Sequence, residues 1–372
     1  EDGMALRFGN AVLPAGGRVV VVRDPDVFAL RYPGVVPAGT FSGALSNDGE
    51  RIVLRTAAGV IAHDFVFNDV GDWPTRADGL GSSLELVNRE GDYNMPASWR
   101  PSSEYHGSPG AAGSGPDGRV VINEVLSHSS LPAVDQIELH NRTGEEINVG
   151  GWFLSDGAGV LQSFKIPAST ALESSGYLVF GEEDFNSGPG AAVSSYGGTV
   201  AASPTTVTTS GPHALSTGDL VTISGYGGIA SYDGSHLVRV TGATTFEIDV
   251  TFLDDDEARG SWRAGRSFAL NSPRGDEVWL VEGNAGGAPV RFVDQVRFDG
   301  ARDGESLGRW PDGSGSGYLV SMVTQTLGAT NSAPQVGPVI LSEVMYHPAG
   351  GSEEGLEYVE ICNTGDVTEN LN

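Results

Sequence analysis

Lysine occurs once in this 372-residue chain, at Lys165, and cysteine once, at Cys362. One lysine in "SFKIP" leaves no phosphate-binding loop, and one cysteine leaves no disulfide within the chain and no C-x-x-C centre. Cys362 reads as a buried or half-exposed thiol, with an interchain bridge as the alternative. No apolar run approaches the roughly eighteen residues of a membrane-spanning helix. No stretch of about twelve residues carries a helical period. The opening "EDGMALRFG" has neither the basic start nor the apolar centre of a signal peptide. No G-x-S-x-G elbow and no H-E-x-x-H pair is present, so nothing points to an enzyme. Cations are scarce: 21 Lys and Arg stand against 48 Asp and Glu, a net charge of −27. A phosphate backbone requires clustered cations, so nucleic acid is not an expected partner.

What the chain has in excess is glycine, 54 residues, with 20 prolines punctuating short apolar runs. That pattern predicts many short strands and turns, an all-β chain. Its length predicts two or three domains. The acidic surplus reads first as a well-solvated surface. Its sharper reading is Ca²⁺ held by paired carboxylates, for which Asp254, Asp255, Asp256 and Glu257 form the densest cluster, without EF-hand spacing. No other cofactor is expected.

One segment is written twice. "VVINEVLSHSSLPAVDQIELHN" (120–141) aligns with "VILSEVMYHPAGGSEEGLEYVEICN" (339–363). Alternation places Ile137 and Leu139, or Val359 and Ile361, on one strand face and Glu138 or Glu360 on the other. The remainder of the unit also appears twice. "EDGMALRFGNAVLPAGGRVVVV" matches the run ending "GYLVF" at Phe180. The hairpin from Gly43 matches the one from Phe268, and "ADGLGSSLEL" matches "RDGESLGRW". Two Gly- and Ser-rich tails, "HGSPGAAGSGPDG" and "LGATNSAPQVG", read as linkers. Repetition implies a repeated structural unit. Four pieces result: the back part of one unit (1–112), a whole unit (118–198 with 266–333), an insert (199–265), and the front part of another unit (337–372).

The opening E-V, the I-E-L-x-N strand and the G-W-x-L-x-D turn together resemble the lamin-tail domain of bacterial type. The resemblance covers nearly all of the chain outside the insert, and it implies tandem immunoglobulin-like β-sandwiches. The insert carries His213, Leu215, Gly218, Asp219, Val221, Ile223 and Gly225 in an H-x-L-x-x-G-D-x-V-x-I-x-G pattern. It is similar to the small β-barrel half-domain around the first catalytic-cysteine region of ubiquitin-activating enzymes, which also occurs in phage and bacterial surface proteins. That resemblance brings no chemistry, and the insert has no cysteine. Insertion into a surface loop costs little free energy.

The front part at 337–372 offers Val339, Leu341, Val344, Val359 and Ile361, each worth on the order of 2 kcal/mol if buried. The back part, with Leu6, Phe8, Val19 and Val21, lacks those strands. Three arrangements complete both: the tail of one chain joins the head of a neighbouring copy, the join is covalent in a longer tandem array, or both ends of one molecule meet. The implied role is a non-enzymatic structural or adhesive module of a secreted or cell-surface bacterial protein, assembling head-to-tail into a fibre or array. The alternatives are an accessory region of a larger secreted enzyme, a neighbourhood the resemblance allows, and a Ca²⁺-dependent adhesin. Other expectations are local. His128 and His347 read as rim histidines, with metal ligation as the sharper reading. Glu124 and Glu343 read as solvent-facing or edge-protecting carboxylates. Trp152 and Trp310 read as core or sheet-corner anchors, and Trp73 and Trp99 as exposed aromatics with a carbohydrate-stacking role left open.

Overall fold

The computed structural model describes residues 3–9, 12–130, 133–186, 190–227, 232–253, 260–271, 274–314, 317–349 and 355–371. Strands dominate, as the short apolar runs predict. In the N-terminal piece they are β1 (Val21–Val22), β2 (Gly39–Thr40), β3 (Gly49–Arg55), β4 (Ile61–Asn68), β5 (Leu84–Leu86) and β6 (Trp99–Pro101). A short helix, α1 (Pro25–Arg31), follows β1. Asp24 caps it by accepting from the Asp26 and Val27 amides, and Pro25 opens the first turn. The pairs β1–β2, β3–β4 and β5–β6 are separate two-stranded sheets.

The middle unit is an immunoglobulin-like sandwich. Its strands are β7 (Val120–Leu126), β8 (Gln136–Asn141), β9 (Ile147–Asn148), β10 (Phe153–Ser155), β11 (Phe164–Lys165), β12 (Ala171–Leu172) and β13 (Tyr177–Gly181), followed by the single-turn helix α2 (Glu182–Phe185). An inserted barrel supplies β14 (Ala191–Gly197), β15 (Thr205–Thr209), β16 (Leu220–Ser224), β17 (Gly234–Leu237), β18 (Arg239–Gly242), β19 (Thr245–Ile248) and β20 (Ser261–Ala264). The sandwich resumes with β21 (Asp276–Gly283), β22 (Pro289–Phe298), β23 (Ser306–Gly308) and β24 (Val320–Ser321), and the chain continues into β25 (Val339–Met345) and β26 (Tyr358–Asn363).

A five-stranded sheet in the order β13-β8-β7-β23-β24 faces a four-stranded sheet, β11-β10-β21-β22. Between them lies one apolar core that includes Val120, Ile122, Val125, Ile137, Leu139, Trp152, Leu154, Val278, Leu280, Val296 and Leu307. Trp152 is buried there as expected, whereas Trp310, expected as an anchor, stands half exposed just past β23. The outer face of β21–β22 carries a second cluster, Phe153, Leu161, Trp279, Val281 and Phe292, which Leu80 and Tyr105 of the N-terminal piece cover. Tyr105 meets Phe292 edge-on, and the Arg76 guanidinium sits 4.7 Å above the same ring. The N-terminal piece is thereby seated on the complete sandwich by aromatic and cation–π contact.

The barrel is a seven-stranded sheet, β17-β16-β20-β14-β15-β19-β18, around its own core of Val207, Val221, Ile223, Phe246, Ile248 and neighbours. It begins earlier than residue 199. Strand β14, with Val193 and Tyr196 inward, pairs with β15 and β20 and belongs to the barrel. Its remaining residues are Ala, Ser and Gly, which mask the alternation in the sequence. Asp219 of the G-D pair fastens barrel to sandwich. One carboxylate oxygen takes Lys165 Nζ at 2.5 Å and the other takes the Ser216 amide at 2.8 Å.

Candidate functional site

The complete sandwich shows what surrounds the β7–β8 hairpin. Its register pairs Val120 with Asn141, Ile122 with Leu139, Glu124 with Glu138 and Val125 with Ile137, with a bulge between Ile122 and Glu124. β13 flanks β8 and β23 flanks β7, so neither strand has a free edge. The apolar face meets β21–β22. The other face is polar and equally buried, with Glu124 and Glu138 both 0% exposed. Glu124 accepts from the Thr326 amide (2.9 Å) and hydroxyl (2.7 Å). Glu138 accepts from Asn123 Nδ2 (2.8 Å) and from the Gly328 amide (2.5 Å). Glu124 is therefore no solvent-facing strand carboxylate. The segment Thr326–Asn331, all but its first residue part of the stretch 327–337 read from sequence as a linker, folds back and clamps it.

That burial has an electrostatic signature. Loss of water pushes the Glu138 carboxyl up to about 8, against the pull of the Asn123 and Gly328 donors, and the nearby Glu124 and Asp312 carboxylates push it the same way. At the end of β8, Asn141 organises the turn. Its Oδ1 accepts the Thr143 amide, and its Nδ2 donates to the carbonyls of Glu145, Leu172 and Glu173.

The C-terminal hairpin repeats this geometry residue for residue. Val339 pairs with Asn363, Leu341 with Ile361, Glu343 with Glu360 and Val344 with Val359, and the bulge falls between Leu341 and Glu343. The asparagine turn recurs as well: Asn363 Oδ1 accepts the Gly365 amide and its Nδ2 donates to the Val367 carbonyl. The surroundings do not recur. Ile122, Val125, Ile137 and Leu139 are each 0% exposed, while Leu341 is 68%, Val344 54%, Val359 57% and Ile361 53% exposed. Among the described residues, β25–β26 is a two-stranded sheet of its own.

The N-terminal piece holds the surroundings without a hairpin. The turn Pro14–Gly17, closed by a bond from the Gly17 amide to the Pro14 carbonyl, matches Glu173–Gly176, closed in the same way. This aligns Leu13 with Leu172 and makes Val19–Val22 the counterpart of β13. Leu84 matches Leu307, which makes β5 the counterpart of β23 and β6 that of β24. Ser108–Ala111 matches Thr326–Ala329. Each turn is closed by an amide three residues on, and Gly110 (φ +80°) and Gly328 (φ +87°) share a left-handed backbone that disfavours any side chain. In the middle unit two strands, β8 and β7, lie between β13 and β23. In the N-terminal piece a cavity of about 480 Å³ lies between Arg18, which leads into β1, and Ser83 with β5, with the 106–113 loop along it. A second hollow of about 340 Å³ is walled by Ile52 of β3, Phe65 and Phe67 of β4, Leu84 and Trp99. It lies where the apolar face of a hairpin would pack.

Of the residues singled out in the sequence, the C-terminal set (Val339, Leu341, Val344, Val359, Ile361) is gathered on one hairpin. Leu6 and Val21 are half-buried and Phe8 and Val19 exposed at the other end of the chain. One chain leaves the two sets apart. Cys362 lies half-buried on β26, opposite Ile340. Trp73 is buried, and Trp99 donates from Nε1 to the Tyr93 carbonyl within a cluster with Phe65 and Tyr93, so neither is a free stacking platform. His128 bonds through Nδ1 to the Ala301 carbonyl at the rim. Among the described residues, no group of three or more His, Cys, Asp or Glu side chains is arranged to hold a metal ion. Asp254, Asp255, Asp256 and Glu257 lie outside the described residues. No described helix is long and apolar enough to cross a membrane.

The sandwich with its repeated opening hairpin agrees with one family. Residues 114–297 match the family model of the Lamin Tail Domain. No curated protein and no solved structure matched the chain. The lamin tail domain is a non-catalytic, immunoglobulin-like structural domain, and the matched segment runs from just ahead of β7 into β22. β23, β24 and the Thr326–Asn331 clamp lie beyond it and complete the unit.

Proposed function

We propose that the chain is a non-enzymatic structural module of an extracellular or bacterial cell-surface protein, and that it assembles head-to-tail. The β25–β26 hairpin of one copy fills the gap between β1 and β5 of the next. The observation that carries this reading is the pairing of a preformed hairpin with a hollow that lacks one. The hairpin keeps the register and bulge of β7–β8 and leaves its apolar face in water. The hollow keeps the counterparts of every element that flanks β7–β8. Burying four half-exposed aliphatic side chains contributes roughly 1 kcal/mol or more each, and both free strand edges gain ladder partners. A head-to-tail contact that does not close generates a linear array, and strand addition to an open sheet is an established mode of association.

Sedimentation velocity on the full chain tests this. The sedimentation coefficient is expected to rise with concentration, and Leu341→Asp, which puts a charge on the buried face, to hold the protein monomeric. A wild-type chain that stays monomeric up to hundreds of micromolar contradicts the reading.

A further inference from the structure

The gap in the N-terminal piece is polar on one side, and its polarity differs from that of the complete unit. In the sandwich, the ground beside β7–β8 holds Tyr177, Asp312 and Asn331, which bond to one another and to Asn123. In the N-terminal gap, the cavity is lined instead by Arg18, Arg89 and Arg100. Three arginines on one cavity are notable in a chain with 21 cationic residues and a net charge of −27. Arg18 holds the place of Tyr177, and Arg100 pairs with Glu85 at 3.0 Å.

The loop along this cavity is a second copy of the glutamate clamp. Ser108 takes the place of Thr326, and Gly110 that of Gly328. A size exchange confirms the match. In the sandwich, Gly308 makes room for Asn331, whose Nδ2 lies 2.8 Å from where a Cβ on Gly308 would be. In the N-terminal piece the same two places hold Glu85 and Gly113, and the Glu85 carboxylate fills the space a Cβ on Gly113 would occupy. The large and small residues have traded places between strand and loop, so the loop packs against its strand in both units. The clamp is therefore formed, and among the described residues no pair of strand glutamates occupies it. Among the described residues, Ser108 Oγ reaches only Glu85, at 3.4 Å, and the Gly110 amide donates to no acceptor.

The hairpin of the same chain carries the matching pair. Glu343 and Glu360 stand opposite each other, as Glu124 and Glu138 do, and both are exposed. We propose that this carboxylate pair is what the N-terminal gap recognises. The Ser108 amide and hydroxyl take Glu343, the Gly110 amide takes Glu360, Arg18 and Arg100 supply the opposite charge, and the occupant is the β25–β26 hairpin of a second copy of this chain. The inference rests on the head-to-tail reading and adds its specificity. A hairpin with the same apolar face and neutral residues at those two positions is refused, because the amides would be buried unpaired and Arg18 would lack an opposite charge, Arg100 being already paired with Glu85.

Sedimentation equilibrium on four versions of the 372-residue chain separates the two claims: wild type, Leu341→Asp, Glu343→Ala/Glu360→Ala and Ser108→Ala. All carry their changes on exposed or half-exposed positions outside the complete sandwich, so its melting transition serves as the folding control. The expected result is self-association of wild type, none for Leu341→Asp, an association constant at least tenfold weaker for the glutamate pair, and about threefold weaker for Ser108→Ala. Raising NaCl from 50 to 500 mM is expected to narrow the gap between wild type and the glutamate variant. If the glutamate variant assembles with the wild-type constant while Leu341→Asp stays monomeric, docking stands and carboxylate recognition is overturned. If wild type itself stays monomeric, the docking on which the inference rests is overturned first.

Discussion

The hairpins β7–β8 and β25–β26 share a fold and differ in everything around it. Their registers coincide pair by pair, their bulges fall at the same step, and their asparagine turns use the same two local bonds. One is sealed between flanking strands, a facing sheet and a clamp loop, and the other is open to solvent on both faces. Local sequence thus suffices to shape the hairpin, while burial is supplied by partners far away in the chain. A lone two-stranded sheet is marginal in water, so the difference between the two is one of energy more than of geometry.

The largest contrast is expected from one substitution made in both places. Ile122→Ala removes a side chain that is 0% exposed, and it is expected to cost ~2–5 kcal/mol in denaturant unfolding of the sandwich. Leu341→Ala, the matched change in the open hairpin, is expected to cost less than about 0.5 kcal/mol for the dilute chain. It is expected to weaken association instead. Equal costs in the dilute chain would mean that the hairpin is already buried and would dissolve the comparison.

A smaller effect follows from the polar face. Glu138 has its carboxyl pushed from 4.5 up to about 8 by burial. An unfolded chain releases this proton near the ordinary value, and the folded sandwich holds it until near 8. Between these limits the folded state binds more protons, so stability falls as pH rises from about 4.5 to 8, by a few kcal/mol at most. Thermal melts across this range are expected to show the decline, with Glu138→Gln flattening it. The matching change in the open hairpin, Glu360→Gln, is expected to leave the slope of the sandwich as it was. A slope unchanged by Glu138→Gln would place its origin elsewhere.

The two hairpins, and the alignment of 120–141 with 339–363, were legible in the sequence because strand alternation and repetition state the same register twice. The all-β class followed from glycine-punctuated apolar runs, and Trp152 was legible as a core residue from the G-W-x-L turn. The clamp was not legible. A glutamate opposite apolar neighbours in a strand reads as solvent-facing, and what buries Glu124 is Thr326, 202 residues later and just ahead of a Gly- and Ser-rich stretch that reads as a linker. Backbone amides share that burying with the Thr326 hydroxyl and the Asn123 side chain, and amides leave no mark in a sequence. β14 escaped for a related reason: only Val193 and Tyr196 face the barrel core, among small residues that read as a turn. Trp73 and Trp99, bracketed by proline and charge, read as exposed and are gathered into an aromatic cluster by the turns around them.

The most direct test of hairpin exchange uses the single cysteine. Cys362 is the counterpart of His140, which pairs with Tyr177 across β8–β13, and Tyr177 is the counterpart of Arg18. Because Arg18 is itself part of the proposed recognition, the second thiol is placed at Val20, two residues further along the chain. The 372-residue chain carrying Val20→Cys, treated with a short bismaleimide and run on a denaturing gel, is expected to give a ladder of dimers, trimers and higher multimers. Wild type, with Cys362 alone, is expected to stop at the traces of dimer that random collision gives. A Val20→Cys chain that yields no more than those traces, or only a compact cross-linked monomer, would contradict the account.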